Sequence, residues 1–524
     1  MPSLSSSPDR HVVIDRRKGH YLCFPDVCLA GDGALVVVYN EFDRHVSRRE
    51  KLLVRRSTDA GRTWSEPLLL DAQKSHCPRL KRLSDGEIVL LEDRLPSVFW
   101  SLDNGKSFVR YRGEGLVHGL LDRVLELDTE RFLTAGHLHR CEIAEPCIRQ
   151  RPTEQIVYYS DNRCRTWRQY SILTNDRRLV LCEASLARLQ NGDILALMRE
   201  NSGVGEPMYA CRSTDEGRTW SEPRPTPLVG HRPTMGLTSD GRLLVTYRNV
   251  APDGGTAAWL GGEDELLSDF AVHGVSPSPD NPVLTGEGLL VRSEGGAQGL
   301  VRYLLRPLTD PRHARASLSV EVRVDAAEDN ACCIHFGRLW RIFPDRIVAE
   351  SLAERSAPHP QDAAPEAVID LAPGTFHQLR FERAPGSVDI FVDGEHKATL
   401  SVELDSGLSR LVLVGAGARE RNRGSCVWRS LQLSIAEPRL GRTYEWSWDA
   451  SRGLPDQWAR DHVLELANDR LAAPMDYGYS GWVELPDGRF FCAYHHGAGE
   501  EPDYREGFSS HVRGTWFSAE DFEN

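Results

Sequence analysis

The chain has 524 residues, a formal net charge of −13 and twelve cysteines. This length predicts more than one domain, and the acidic balance argues against nucleic acid or an anionic membrane as the main partner. No stretch approaches the ~18 apolar residues of a membrane-spanning helix, while a small acidic ligand stays open to a local arginine cluster.

From the start, Met1-Pro-Ser-Leu-Ser-Ser-Ser lacks the basic-then-apolar order of a signal peptide. The cysteines show neither a CxxC nor a Cys/His zinc pattern. Reduced buried thiols in a cytoplasmic protein are therefore expected; a leader removed beforehand would leave the same start and make the protein secreted. Short apolar stretches then alternate with turns. Strand pairs are predicted around Asp32-Gly33, Asp85-Gly86, Asn191-Gly192, Asp240-Gly241 and Asp487-Gly488, dipeptides that favour tight hairpins. A sixth, weaker unit runs from Val124 to Ala135 with Asp128-Thr-Glu130 at its turn.

A second pattern is interleaved with the first. Ser57 to Trp64, Ser101 to Phe108, Ser160 to Trp167 and Ser213 to Trp220 follow Ser-x-Asp-x-Gly-x-Thr-aromatic, with Asn162 and Cys164 departing in the third. The spacing is that of propeller blades. Asp and Gly suit a tight turn, and the aromatic residue plugs the space between blades. The four copies resemble the Asp-box repeats of sialidase-type propellers, where the box is a structural feature of the blade periphery.

The fold class expected is all-β: a six-bladed β-propeller with an inserted β-sandwich. Between about 266 and 440 neither pattern occurs. There Phe376 to Phe381 and Val388-Asp-Ile-Phe-Val-Asp-Gly394 read as two alternating strands and resemble a laminin-G or concanavalin-like jelly roll. Ala357 to Ala367 reads as a surface loop within it. The division expected is 1–265 for the first propeller segment, 266–440 for the insertion in the fifth blade, and 441–524 for completion of the propeller. The insertion is expected to pack structurally, with glycan binding as the alternative.

Innermost strands of a propeller carry side chains into a shared central pocket. Nine residues before each hairpin reference stand Phe24, Cys77, Leu121, Glu183, Arg232 and Tyr479; seven residues after it stand Asn40, Asp93, His137, Arg199, Arg248 and His495. The second set is polar throughout, as a central binding ring or a solvated rim would be.

Glu183 to Gly192 followed by Arg199 resembles the sialidase blade that supplies a catalytic Glu and an arginine. Tyr479-Ser-Gly-Trp-Val-Glu-Leu-Pro-Asp-Gly488 resembles the blade that supplies the catalytic Tyr. The resemblance implies a retaining exo-glycosidase with Tyr479 as nucleophile and Glu183 as its base. Tyrosine is the recognised alternative to a carboxylate nucleophile in sialidases, since a neutral phenol is not repelled by the substrate carboxylate. Arg199, Arg248 and Arg232 are the expected arginine cluster, with Asp93, His137 and His495 as further substrate contacts. Two departures stand out. Cys23, in Tyr21-Leu-Cys-Phe-Pro-Asp26, occupies the place of the family's first-blade arginine. The general acid is expected on the loop from Asn40 to His45, with Asp43 chosen ahead of Glu41.

No cofactor or metal is implied; the partner expected is a glycan or sialoside substrate. Three readings follow: a sialidase-like hydrolase, a glycosidase or lyase acting on a uronic or deoxy sugar, and a non-catalytic glycan-binding propeller.

Overall fold

The computed structural model is 52% strand and 6% helix, an all-β molecule arranged as a six-bladed propeller. It describes the whole chain except residues 46, 48, 73, 93–96, 129, 140–152, 202, 204, 277, 279, 297–298, 351–364, 405–406, 418–420, 473–475 and 524. Asp93 and residues 357–364 of the expected loop lie outside the described residues. The described cysteines are unpaired and buried.

Each blade is a four-stranded antiparallel sheet. The first runs through Tyr21–Leu29, Leu35–Phe42, Lys51–Ser57 and Leu68–Asp71. Its first hairpin turns at Gly33, and the matching glycines 86, 192, 241 and 488 share a φ between 81 and 90°, a left-handed backbone that favours glycine. The weaker third unit turns through Glu130 at φ 57° instead.

Two blades are assembled from distant parts of the chain. The sixth comprises Ser480–Glu484, Phe490–His496 and His511–Phe517, completed by the N-terminal strand His11–Asp15, whose His11 pairs with Thr515. That strand ties the N-terminal segment of the chain to its C-terminal blade and was not foreseen from the hairpin pattern. The fifth blade uses Gly230–Leu237, Leu243–Asn249 and Gly255–Gly261, and takes its outer strand from Val463–Ala467.

Between those last two strands the chain forms a seven-stranded and an eight-stranded sheet, both antiparallel. Trp340, Phe381 and Trp428 are buried in one apolar core that also takes in Val229 and Phe270 beside the fifth blade. Strands His377–Ala384 and Ser387–Val392 pair side by side, and their alternating burial follows the side-chain period of two. The strand Arg442–Asp449 still pairs with Arg423–Glu437, so this sheet continues beyond residue 440.

The Asp boxes share one hydrogen-bond pattern. In the first, Ser57 Oγ donates to Asp59 Oδ1 at 2.7 Å and accepts from Gly61 N–H at 2.8 Å. Thr63 donates its N–H to Asp59 Oδ1 at 2.9 Å and its hydroxyl to Asp59 Oδ2 at 2.6 Å. In the third box Asn162 takes the Asp role, and Cys164 sits at φ 63° where the others have glycine. The aromatic residues reach the preceding blade: Trp64 lies 6.0 Å from Phe491, and Trp220 Nε1 donates to Ser171.

Candidate active site

The innermost strands share a backbone device. Register shifts fall between Cys23 and Asp26, between Cys182 and Ser185, and between His231 and Thr234. Within these bulges Phe24, Glu183 and Arg232 have φ of 54, 49 and 50°; Cys77 has 47° in the second blade. In the third and sixth blades the left-handed position falls on Leu120 and Gly478, one residue before the Leu121 and Tyr479 that a fixed offset selects. The weak third turn and the glycine of the sixth blade explain the slip. Left-handed backbone in a non-glycine residue costs of order 1–3 kcal/mol and gathers at functional sites; a bulge also re-aims the side chain it carries.

Glu183 and Tyr479 meet across the ring. Tyr479 Oη donates to Glu183 Oε1 at 2.6 Å. Arg199 Nη1 donates to Glu183 Oε1 and Oε2 at 3.0 and 2.9 Å and to Tyr479 Oη at 2.7 Å. Arg199 Nη2 is held by Asn201. Cys182 pairs with Arg199 in the hairpin, which places the guanidinium beside the bulged Glu183. Burial alone raises the Glu183 carboxyl, but Arg199, Arg232 and the Tyr479 phenol hold it well below the ordinary range. Burial pushes the Tyr479 phenol far above its usual value, opposed by Arg199 and reinforced by the Glu183 charge. The resting pair is a carboxylate facing a neutral phenol.

Arg248 lies over the Tyr479 ring, 4.4 Å from its centre, a cation–π contact. Its Nε donates to Tyr477 O at 2.6 Å. Arg232 is 2% exposed and donates to the Leu120 and Leu121 carbonyls at 3.2 and 3.0 Å; it ties the fifth blade to the third and lends positive charge to Glu183. His137 Nδ1 accepts the Glu183 N–H at 3.3 Å. Burial pushes its imidazole down to about 3, consistent with that acceptor role. His495 is fully buried against Tyr479, with ring centres 5.9 Å apart. Asn40 joins the first two blades, donating to Ser75 O and accepting the Cys77 N–H.

Asp43 is not brought into this cluster. It lies exposed in a bend, and the Ser47 hydroxyl hydrogen bond holds its carboxyl below the usual range. No contact joins Asp43 to Tyr479, Glu183 or Arg199 among the described residues. Glu41 is bound by Lys51 at 2.5 Å and by Arg17, a structural pairing.

One residue missed from the sequence, Asp476, faces Arg248 from the segment that leads into Tyr479. The carboxylate of Asp476 accepts from Tyr21, lies 2.8 Å from His45 Nδ1 and 3.8 Å from Arg248. Its only signal was its position three residues before Tyr479. The first-blade wall is apolar: Tyr21, Cys23, Phe24 and Phe42 form one buried cluster with Tyr479 and with Cys77 of the second blade. Cys23 is fully buried there and supplies packing.

The chain is similar to several solved structures. A Dyadobacter fermentans DSM 18053 protein of unknown function is 15% identical, with 97% of each chain covered and a TM-score of 0.46. Trypanosoma rangeli sialidase in complex with the inhibitor DANA is 10% identical, with 79% of this chain and 91% of that one covered and a TM-score of 0.34. Xylan β-1,4-xylosidase from Bacillus halodurans C-125 is 11% identical, covering 81% and 100% with a TM-score of 0.33. No curated protein matches the chain. Residues 92–325 match the BNR repeat-like domain family.

Proposed function

We propose that this protein is a retaining exo-glycoside hydrolase that cleaves a terminal sialic acid or related acidic sugar. The observation that carries this reading is the 2.6 Å hydrogen bond from Tyr479 Oη to the ionised Glu183, with Arg199 2.7 Å from the same oxygen. A phenol attacks an anomeric carbon as it gives up its proton. Glu183 is placed to take that proton, and Arg199 and Arg248 stabilise negative charge growing on the phenolic oxygen. The same guanidinium groups are the candidates to hold a substrate carboxylate by charge-assisted hydrogen bonds.

A second reading, hydrolysis or elimination on a uronic or deoxy sugar, is favoured by the apolar first-blade wall around Cys23. That wall offers no third guanidinium, so a carboxylate attached elsewhere on the ring, as in a uronic acid, or none, as in a deoxy sugar, suits it.

The test is hydrolysis of fluorogenic α-sialosides, uronides and deoxy-sugar glycosides by wild type and Tyr479→Phe, with proton NMR of the first sugar released. Loss of turnover in the variant and release of the anomer with retained configuration support the reading. An inverted first product, or a Tyr479→Phe enzyme as active as wild type, overturns it. Turnover confined to uronides or deoxy sugars selects the second reading.

A further inference from the structure

Hydrolysis through Tyr479 and Glu183 leaves one role unfilled: a proton for the departing oxygen. Tyr479 is only 7% exposed. In an exo-enzyme the aglycone points outward, so the proton donor must stand at the rim. The side chain of His45 is 55% exposed while that of its partner Asp476 is 11% exposed. His45 Nδ1 lies 2.8 Å from Asp476 Oδ2, which leaves Nε2 as the nitrogen available to a ligand. The His45 ring centre is 5.9 Å from that of Phe24, and Phe24 is 5.2 Å from Tyr479. Arg248 connects the two groups, touching the Tyr479 ring and facing Asp476.

Asp476 is suited to steady a charged imidazole. Burial would raise its carboxyl, but hydrogen bonds with His45 and His495 and the Arg248 charge hold it well below the ordinary range. A fixed carboxylate on Nδ1 orients the ring and leaves Nε2 as the atom that exchanges a proton with a ligand.

We propose that His45, held by Asp476, is the general acid/base of this site, an inference that rests on the Tyr479–Glu183 reading. The glycosidic C–O bond breaks with its electron pair moving to the leaving oxygen, which takes the proton from His45 Nε2. Tyr479 Oη bonds the anomeric carbon and passes its proton to Glu183. In the second half, His45 Nε2 removes a proton from water as that water attacks the anomeric carbon. The Tyr479 oxygen departs and recovers its proton from Glu183, so one water is consumed and both pairs return to their starting states.

The test compares methyl and 4-nitrophenyl glycosides of whichever sugar the wild type turns over in the panel above. Nitrophenolate departs without protonation at neutral pH, whereas methoxide does not. His45→Gln should lower kcat/KM, which reports the bond-breaking half alone, by about 10²-fold or more on the methyl glycoside and leave kcat/KM on the nitrophenyl glycoside within about threefold. Asp476→Asn, a positioning change, should repeat that leaving-group dependence more weakly and act on kcat rather than KM. Tyr479→Phe should abolish both reactions. Equal losses of kcat/KM on the two glycosides in His45→Gln, or none on either, overturn the assignment of His45 alone. A folded wild type that cleaves no glycoside in the panel overturns the hydrolase reading and this assignment together.

Discussion

The periphery and the centre of the propeller use repetition in opposite ways. At the periphery, Ser57, Ser101 and Ser213 each donate to the box Asp at 2.7–2.8 Å and accept a glycine N–H at 2.8 Å. The same residues recur because the same turn must be made. At the centre, a left-handed residue recurs on the inner strands, yet it is Phe24, Cys77, Leu120, Glu183, Arg232 and Gly478. There the backbone device repeats and the side chain does not. A repeat in residue identity therefore marks structure, while a repeat in geometry with varied side chains marks the place where chemistry is assembled.

This contrast breaks most sharply at Tyr479. Tyr479→Phe removes one hydroxyl and should lower kcat by about 10³-fold or more, with thermal unfolding nearly unchanged; a steady-state assay beside a melting curve checks both. Glu183→Gln tests the centre for structural cost as well. It leaves the Arg199 guanidinium without its carboxylate, and loss of one member of a buried pair costs about 3–5 kcal/mol. Denaturant unfolding should show that fall together with the loss of turnover. If activity falls alone, the pair is less important to the fold than its burial implies.

A pH effect should separate the sixth blade from both regions. Burial opposes charge on His496, but Asp469 at 2.9 Å and Glu500 at 2.6 Å raise its pKa to about 9. A raised folded value means that the stabilisation is complete below the unfolded pKa near ~6.5 and is lost as pH rises through about 9. Melting temperature should therefore decline across that interval, and His496→Asn should flatten the decline. The smallest effects belong to the periphery. Ser57→Ala removes two box hydrogen bonds and should cost about 1–2 kcal/mol while turnover stays at wild-type level. Cys164→Gly relieves the left-handed strain but gives up a buried thiol, so its change in stability should stay within about 1 kcal/mol; differential scanning calorimetry resolves both.

Much of this architecture was legible because it is local. Asp-Gly and Asn-Gly turns, alternating strands and the box each depend on a few adjacent residues, so five hairpins and four boxes could be read in register. The gap in both patterns between about 266 and 440 coincides with strands that belong to the seven- and eight-stranded sheets rather than to the blades. Closure by His11–Asp15 was not legible, since a five-residue strand carries no record of a partner nearly 500 positions away. The offset that located Phe24, Glu183 and Arg232 failed by one residue at Leu120 and Gly478, where the turn or the bulge differs.

The sequence by itself determined the class of fold and the repeating turns and singled out Glu183 and Tyr479 as candidates, because hairpin chemistry and a resemblance over short segments are written in neighbouring residues. Only the tertiary structure decided what those side chains touch. It turned Arg232 toward the carbonyls of the third blade, left Asp43 in solvent, and set His45 against Asp476 beside Arg248 and Tyr479. Hydrogen bonding and burial act between atoms within a few ångströms, and residues 45, 183, 248 and 476 reach that distance only when the ring of blades closes.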